Sequence, residues 1–277
     1  MVEGASVWDL LEARADDTPD TEALVERTGR RITFAALRDG AARMAAGLGD
    51  LGVSPGDVVA WELPTWLETV ELAAALSRLG TVQVPIIPIY RDREVSHCCR
   101  QTRARWLITP ETFRDYDFAA MGRRVTAGTG TRHLTVSPGR FPTARPARPG
   151  TTNTGSWVFS TSGTGSDPKL APHTDAALAG VAAAMAGRMR IEGGDRYSLV
   201  FPFPHVGGII LLYVALLTGC THLLDDTFDP VETTAFLARE GVTHAGTGTP
   251  FHLAYLAAQR LQPEKRLFPR LKCCPGG

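Results

Sequence analysis

Ten residues, Ser160 to Lys169, read STSGTGSDPK and carry the densest set of groups in the chain that could hold a phosphate. Glycines free backbone N–H groups to point into a turn, serines and threonines add hydroxyls, and a lysine adds a positive charge. A pyrophosphate or triphosphate is the ligand such a set fits. The spacing is not that of the G-x-x-x-x-G-K-[ST] loop, because Pro168 precedes the lysine and Leu170 follows it. Nor is it a dinucleotide fingerprint: the third glycine is absent and no helix begins at once. Runs of Gly, Ser and Thr closing on Asp-Pro also make ordinary turns. The stretches TAGTGTRH from Thr126 and AGTGTP from Ala245 have the same look and no lysine. Composition alone therefore leaves phosphate loop and plain turn both open.

A phosphate loop has to be delivered by a scaffold. The apolar residues Trp157 to Phe159 run straight into the stretch, which predicts a strand offering the loop at its carboxyl end, where α/β sheets bind ligands. Upstream, Leu37, Ala41, Met44, Ala45 and Leu48 recur at helical spacing, with Thr33 as cap and Gly52 as stop. DVVAWEL, TVQVPII and RWLIT read as strands, separated by helices in TWLETVELAAALSRLG and DREVSHCCRQTRA. That alternation predicts a layered α/β protein with mixed or parallel sheets and flanking helices. Residues 137–156 lack periodicity and are rich in proline, glycine and threonine, so they read as a connection. Beyond the loop, a helix is expected over Asp175 to Met189, a strand ending in YSLVFPFPH, and a buried helix in GGIILLYVALLTG. CTHLLDD reads as a strand, PVETTAFLAREG as a helix, VTHAGTGTP as a strand and loop, PFHLAYLAAQ as a helix and PRLKCCPGG as the start of a strand–loop unit.

Composition bounds the partners. The 277 residues are 44% hydrophobic and 21% charged with zero formal net charge, an ordinary globular balance with no pull toward nucleic acid. Only Lys169, Lys265 and Lys272 are lysines. Cys98, Cys99, Cys220, Cys273 and Cys274 form neither a disulfide framework nor C-x-x-C spacing. The start has acids where a signal peptide is basic, and the longest apolar run, Val206 to Gly219, is too short for a bilayer span. No transmembrane segment and a cytoplasmic setting are the expectations.

The ordered string says more than its composition. FSTSGTGSDPKLAPHT resembles the phosphate-binding motif of the adenylate-forming superfamily: acyl-CoA synthetases, luciferase-like enzymes and peptide-synthetase adenylation domains. That motif runs roughly Y-T-S-G-T-T-G-x-P-K-G, then a histidine and a threonine or serine. Thr161, Ser162, Gly163, Thr164, Pro168, Lys169, His173 and Thr174 match it. GDVVAWELP to RWLIT is similar to the family's first subdomain, FPFPHVGGI to its acyl-pocket segment, VTHAGTGTPFHLAYL to its V-T-x-x-x-x-V-P-T stretch, and the final PGG to the start of its G-G-A-P loop. The likeness covers about Val7 to Gly277.

The resemblance implies activation of a carboxylic acid with ATP to an acyl-adenylate, then transfer to a thiol such as coenzyme A. On it, Thr161, Ser162, Gly163, Thr164, Gly165, Ser166 and Lys169 hold the phosphates, with Thr164 toward Mg2+. Gly276 and Gly277 border the adenine. His205, Val206, Gly207, Gly246, Thr249 and Pro250 line the acyl side, His205 placing the substrate carboxylate. Read by itself, His205 is equally a histidine satisfied by a backbone partner, and His173 a cap for the next helix. FPFPHVGGIILLY holds no acid to pair a substrate ammonium, which favours an apolar acid, fatty, cyclic or aromatic, over an amino acid.

Departures from the motif are Gly165 for threonine, Ser166 for glycine and Leu170 for glycine. Leu170 is expected to be strained if that position has positive φ. The sequence stops before the family's Y-G-x-T-E and T-G-D motifs, its hinge and its small C-terminal domain. The expectation is thus an incomplete, truncated N-terminal portion: residues 1–136 a first α/β subdomain, 137–156 a connection, 157–277 the phosphate-loop and acyl-pocket subdomain. A truncated sheet edge would favour self-association. Two other readings stand beside it, a non-catalytic nucleotide-binding remnant or interaction protein, and an unrelated α/β phosphate-binding enzyme.

Overall fold

The computed structural model describes residues 5–146, 156–161, 168–246 and 248–276, with only the backbone of Thr161. In chain order the elements are α1 (Val7–Asp17), β1 (Glu22–Glu26), β2 (Arg31–Thr33), α2 (Phe34–Asp50), β3 (Val58–Trp61), α3 (Leu67–Arg78), β4 (Val82–Pro85), α4 (Asp92–Thr102) and β5 (Trp106–Pro110). Next come the small hairpin β6 (Thr112–Phe113) and β7 (Tyr116–Asp117), then α5 (Phe118–Thr126) and β8 (Arg132–Val136). The rest are β9 (Ser156–Thr161), β10 (Lys169–Thr174), α6 (Asp175–Met189), β11 (Arg196–Leu199), α7 (Val206–Thr218), β12 (Thr221–Leu224), α8 (Glu232–Arg239) and α9 (Thr249–Arg260).

Two sheets organise these elements. One runs β10-β9-β4-β3-β5-β8, parallel throughout except for β10 at its edge; the other runs β11-β12-β1-β2, with β2 antiparallel. Alternation along β3 splits its side chains between two cores. Val59 and Trp61 join the core containing α1, α2, α3, α6 and α7, whereas Ala60 joins Val95, Cys98, Phe118 and Met121 of α4 and α5. Leu24, Leu199 and Leu224 of the smaller sheet face the first core, and Val25 and Leu223 meet α8 and α9 in a third. The result is five layers, helices alternating with sheets.

Local signals explain the elements the sequence foretold. Thr33 Oγ1 accepts the Ala36 N–H at 3.2 Å to cap α2, all five of its predicted core residues are buried, and Gly52 turns away at φ 97°. α6 spans Asp175–Met189 as expected, but Thr174 caps it by accepting from Ala177 N at 3.2 Å. His173 does not cap: it lies in β10 opposite Trp157, its ring edge-on to Phe159. α1 and α7 are joined by Arg14, which donates to the Leu216 and Leu217 carbonyls at 2.9 Å.

Other expectations change. β8, β10 and α5 were not foreseen, and the described residues of VTHAGTGTP make two isolated bridges, both at His244, to Tyr197 and to Cys273. The division at residues 137–156 does not separate the sheets, because β9 pairs with β4 and β12 with β1. Cys98, Cys99 and Cys220 are buried free thiols, Cys273 is half-buried and Cys274 exposed. Among the described residues no helix is long and apolar enough to cross a membrane, and no cluster of His, Cys, Asp and Glu could hold a metal ion.

Candidate active site

The stretch expected to hold phosphate connects two strands paired as an antiparallel hairpin. β9 ends at Thr161 and β10 begins at Lys169, and these two residues are register partners. Because β9 is parallel to β4 and β4 to β3, β9 ends and β10 begins at the carboxyl edge of the larger sheet. Ser162, Gly163, Thr164, Gly165 and Ser166 lie outside the described residues, as does the side chain of Thr161. The exit from the loop is anchored: the buried Pro168 presents its carbonyl 3.0 Å from His97 Nε2 on α4. A carbonyl only accepts, so Nε2 carries the proton. Lys169 follows, exposed.

Leu170 is not strained. It pairs with Ser160 in extended strand and packs on the α4 side of the sheet. Among the described residues only Arg103, Arg114, Asp115 and Arg190 have positive φ without being glycine. The expected penalty for leucine at this position is absent because the strand, not a turn, sets its backbone.

A buried polar knot holds the base of the hairpin. Trp157 Nε1 donates to Asp175 Oδ1 at 2.8 Å and to the Tyr213 hydroxyl at 3.2 Å, and the Tyr213 hydroxyl donates to the same Asp175 oxygen. Burial first, then the Asp175 carboxylate, pushes the Tyr213 pKa upward. The knot ties β9, α6 and α7, and so links the β9–β10 hairpin to the helix that opens at His205. Sequence reading missed it. The available signal was one phenol inside the apolar run VGGIILLYVALLT, a group that had to find a partner once buried.

His205, Val206 and Gly207, expected to line the acyl group, form the head of α7. His205 is its N-cap, Nδ1 accepting the Gly207 N–H at 3.1 Å. The backbone-partner reading of this histidine is therefore realised, and its Nε2 is left as the protonated nitrogen. The ring edge reaches solvent, yet burial of the rest lowers its pKa; the occupied Nδ1 lone pair acts in the same direction. Preceding it, Phe203 is buried and stacked on Trp61 with centroids 6.1 Å apart. Thr65 Oγ1 pins this turn, donating to the Phe201 carbonyl and accepting from Phe203 N, both at 3.0 Å. Gly208 is required by close approach: a Cβ there would stand 2.3 Å from the Phe203 carbonyl oxygen. Neither Thr65 nor Gly208 was picked out from the sequence.

The remaining residues gather around α9. Gly246 N donates to Ser198 Oγ at 3.0 Å, and a Cβ on Gly246 would meet the Tyr197 hydroxyl at 2.9 Å and Pro275 at 3.1 Å. Thr249 and Pro250 are exposed in the first turn of α9, entered through Gly248 at φ 100°. Gly276 lies 3.9 Å, by its notional Cβ, from His252, whose Nε2 donates to the Ala245 carbonyl at 3.2 Å. Gly246, Thr249, Pro250 and Gly276 thus share one neighbourhood, His205 to Gly207 another, and Lys169 the hairpin; Gly277 is outside the described residues.

A layered α/β fold that ends a parallel strand in a hairpin at the sheet's carboxyl edge is a scaffold of the kind that holds nucleotides. The AMP-binding enzyme model matches residues 11–277, and the chain belongs to that family. It is 28% identical over 259 residues to the salicyl-AMP ligase / salicyl-S-ArCP synthetase of Mycobacterium tuberculosis, covering 87% of this chain and 46% of that protein. It is 25% identical over 289 residues to the medium-chain fatty-acid–CoA ligase of Escherichia coli, covering 98% and 51%. In fold it matches the crystal structure of the N-terminal domain of FACL13 from Mycobacterium tuberculosis, with a TM-score of 0.86 and 24% identity over 98% of this chain and 69% of that one. The chain spans about half the length of the curated relatives it matches.

Proposed function

We propose that this chain carries the nucleotide- and acid-binding part of an acid–thiol ligase of the AMP-forming acyl-CoA synthetase type. Its substrate would be an apolar carboxylic acid, aryl, cyclic or fatty. The observation that supports this reading is the register of Lys169 against Thr161, which brings the lysine's backbone back beside the end of β9 at the sheet's carboxyl edge, next to a sequence rich in hydroxyls. This donor chemistry fits a pyrophosphate leaving group. When bound, ATP supplies the electrophilic α-phosphorus, with Mg2+ screening the phosphate charge.

The substrate carboxylate oxygen bonds to that phosphorus as the bond to pyrophosphate breaks, the electron pair leaving with pyrophosphate. Lys169, with Thr161, Ser162, Gly163, Thr164, Gly165 and Ser166, would steady the departing charge, and Thr164 would hold the Mg2+. His205 donates from Nε2 to orient the carboxylate, since Nδ1 is committed to Gly207. Val206, Gly207, Gly246, Thr249 and Pro250 border the acyl group, and Gly276 and Gly277 the adenine. Coenzyme A then takes the acyl group through its thiol. Free thiols throughout the chain agree with a reducing, cytoplasmic setting. Both an aryl-acid and a fatty-acid ligase stand among the relatives, which supports an apolar acid.

Calorimetric titration of ATP into the chain tests the phosphate reading. Lys169→Ala is expected to weaken binding at least tenfold, from loss of a charge-assisted bond of about 1.5–3 kcal/mol. Carboxylate-dependent ATP–pyrophosphate exchange with benzoates, fatty acids and amino acids tests the substrate class in the full-length protein that carries this chain. Absence of exchange with every acid, despite tight ATP binding, would instead establish a nucleotide-binding remnant.

A further inference from the structure

The glycine-rich stretch TAGTGTRH has no part in the ligase reading, yet it forms the rim of a cleft of about 540 Å3. That size lies within the range of small-molecule sites, roughly 300–1,000 Å3. The cleft opens where α4 and α5 end and where β5 and β8 begin. Since β5 runs parallel to β3, β4 and β9, this is the sheet edge opposite to Lys169. Its polar lining is Ser96, Arg100, Arg103, Arg105, Thr129 and Thr131, and among the described residues no acidic side chain lines it.

The charges do not cancel internally. Arg105 holds Asp57 at 2.8 Å. Among the described residues no acid lies within ion-pair distance of Arg100 or Arg103, both exposed. An arginine in the last turn of a helix is ordinary compensation for the helix dipole, and two helix ends contribute about half a negative charge each. Three guanidiniums against one carboxylate and two helix ends leave roughly one positive charge unbalanced. Arg103 also occupies the left-handed position past α4, φ 54° and ψ 44°, where glycine is usual, so a charged side chain is kept there at a conformational cost.

The rim is tied down. Gly128 and Gly130 turn at φ 71° and 77°, Thr129 Oγ1 accepts from Thr131 N at 3.2 Å, and Thr131 Oγ1 donates to the Ala104 carbonyl at 2.9 Å. Guanidinium forks match phosphate oxygens in pairs. Among the described residues no aromatic ring lines the cleft to stack a base.

We propose that this cleft is a second anion site, separate from the hairpin, for a compact phosphate ester or polyphosphate. Tripolyphosphate titrated into Lys169→Ala chain isolates it from the first site. The expected result is one bound anion per chain, weakened at least tenfold by adding Arg100→Ala and Arg103→Ala and weakened further by salt. Arg260→Ala, an exposed charge on α9, serves as control and should leave binding unchanged. Thermal melts confirm that each variant folds. A parallel arm uses phosphatidic acid vesicles: retention lost in the double arginine variant, without tripolyphosphate binding, assigns the same phosphate site to a lipid headgroup. No binding in either arm, or binding indifferent to Arg100 and Arg103, overturns the proposal.

Discussion

Glu71 makes the stability of this fold depend on pH in a direction opposite to that of most paired carboxylates. It sits on α3 against α2, its Oε1 so close to Gly40 that a Cβ there would be 2.0 Å away. Burial, reinforced by the neighbouring Glu68 carboxylate and opposed by Arg43 and Arg30, pushes its pKa from 4.5 up to about 7. Below pH 4.5 folded and unfolded chains both hold the proton, and Glu71 has no pH effect. Between 4.5 and about 7 the unfolded chain releases a proton that the folded chain keeps, so stability falls as pH rises. The rise from 4.5 to about 7 corresponds to about 3 kcal/mol, lost by neutral pH and not regained above it. Glu71→Gln removes the ionisation. Urea unfolding of both proteins from pH 4 to 8 should show the variant gaining on the wild type by up to ~3 kcal/mol, the gain levelling off near pH 7. A difference that stays flat across that range refutes the reasoning, whatever its constant offset.

Two further outcomes follow from the turn ahead of α7. Gly208→Ala forces a methyl to within 2.3 Å of the Phe203 carbonyl oxygen, and should cost about 1–3 kcal/mol, a fall of roughly 2–10 °C in Tm; an unchanged Tm would show that the contact relaxes freely. Thr65→Val leaves Phe201 O and Phe203 N without their shared hydroxyl and should destabilise by about 1–3 kcal/mol, with faster amide exchange at Phe203. Thr65→Ser should restore the exchange rate; failure to do so would assign the loss to packing.

What the sequence disclosed depended on how local the cause was. The α2 stripe from Leu37 to Leu48 and its Thr33 cap are properties of one segment, and they read correctly. β10 was missed because KLAPHT contains a proline and takes its stability from β9 alone, as an edge strand does. β8 was missed for a similar reason, its exposed and half-buried residues lacking a firm alternation. The order of motifs around Ser160–Lys169 disclosed the family, because an ordered string survives where composition is ambiguous. The backbone of Leu170 and the partners of Asp175 did not show, since each is set by a residue distant in sequence: Ser160 across the hairpin, Tyr213 on another helix.

The pairing of β1 with β12 also has a consequence in time. Leu24 meets His222 in register, so the innermost neighbour of β1 is made roughly two hundred residues later. At ~5–20 residues per second, a translating ribosome takes roughly 10–40 s to supply it. Through that interval β1 has only the short β2 beside it, and α1 lacks the α7 carbonyls that Arg14 will hold. The segment carrying α1, β1 and β2 must therefore be kept from sticking to other chains until α7 and β12 have been synthesised.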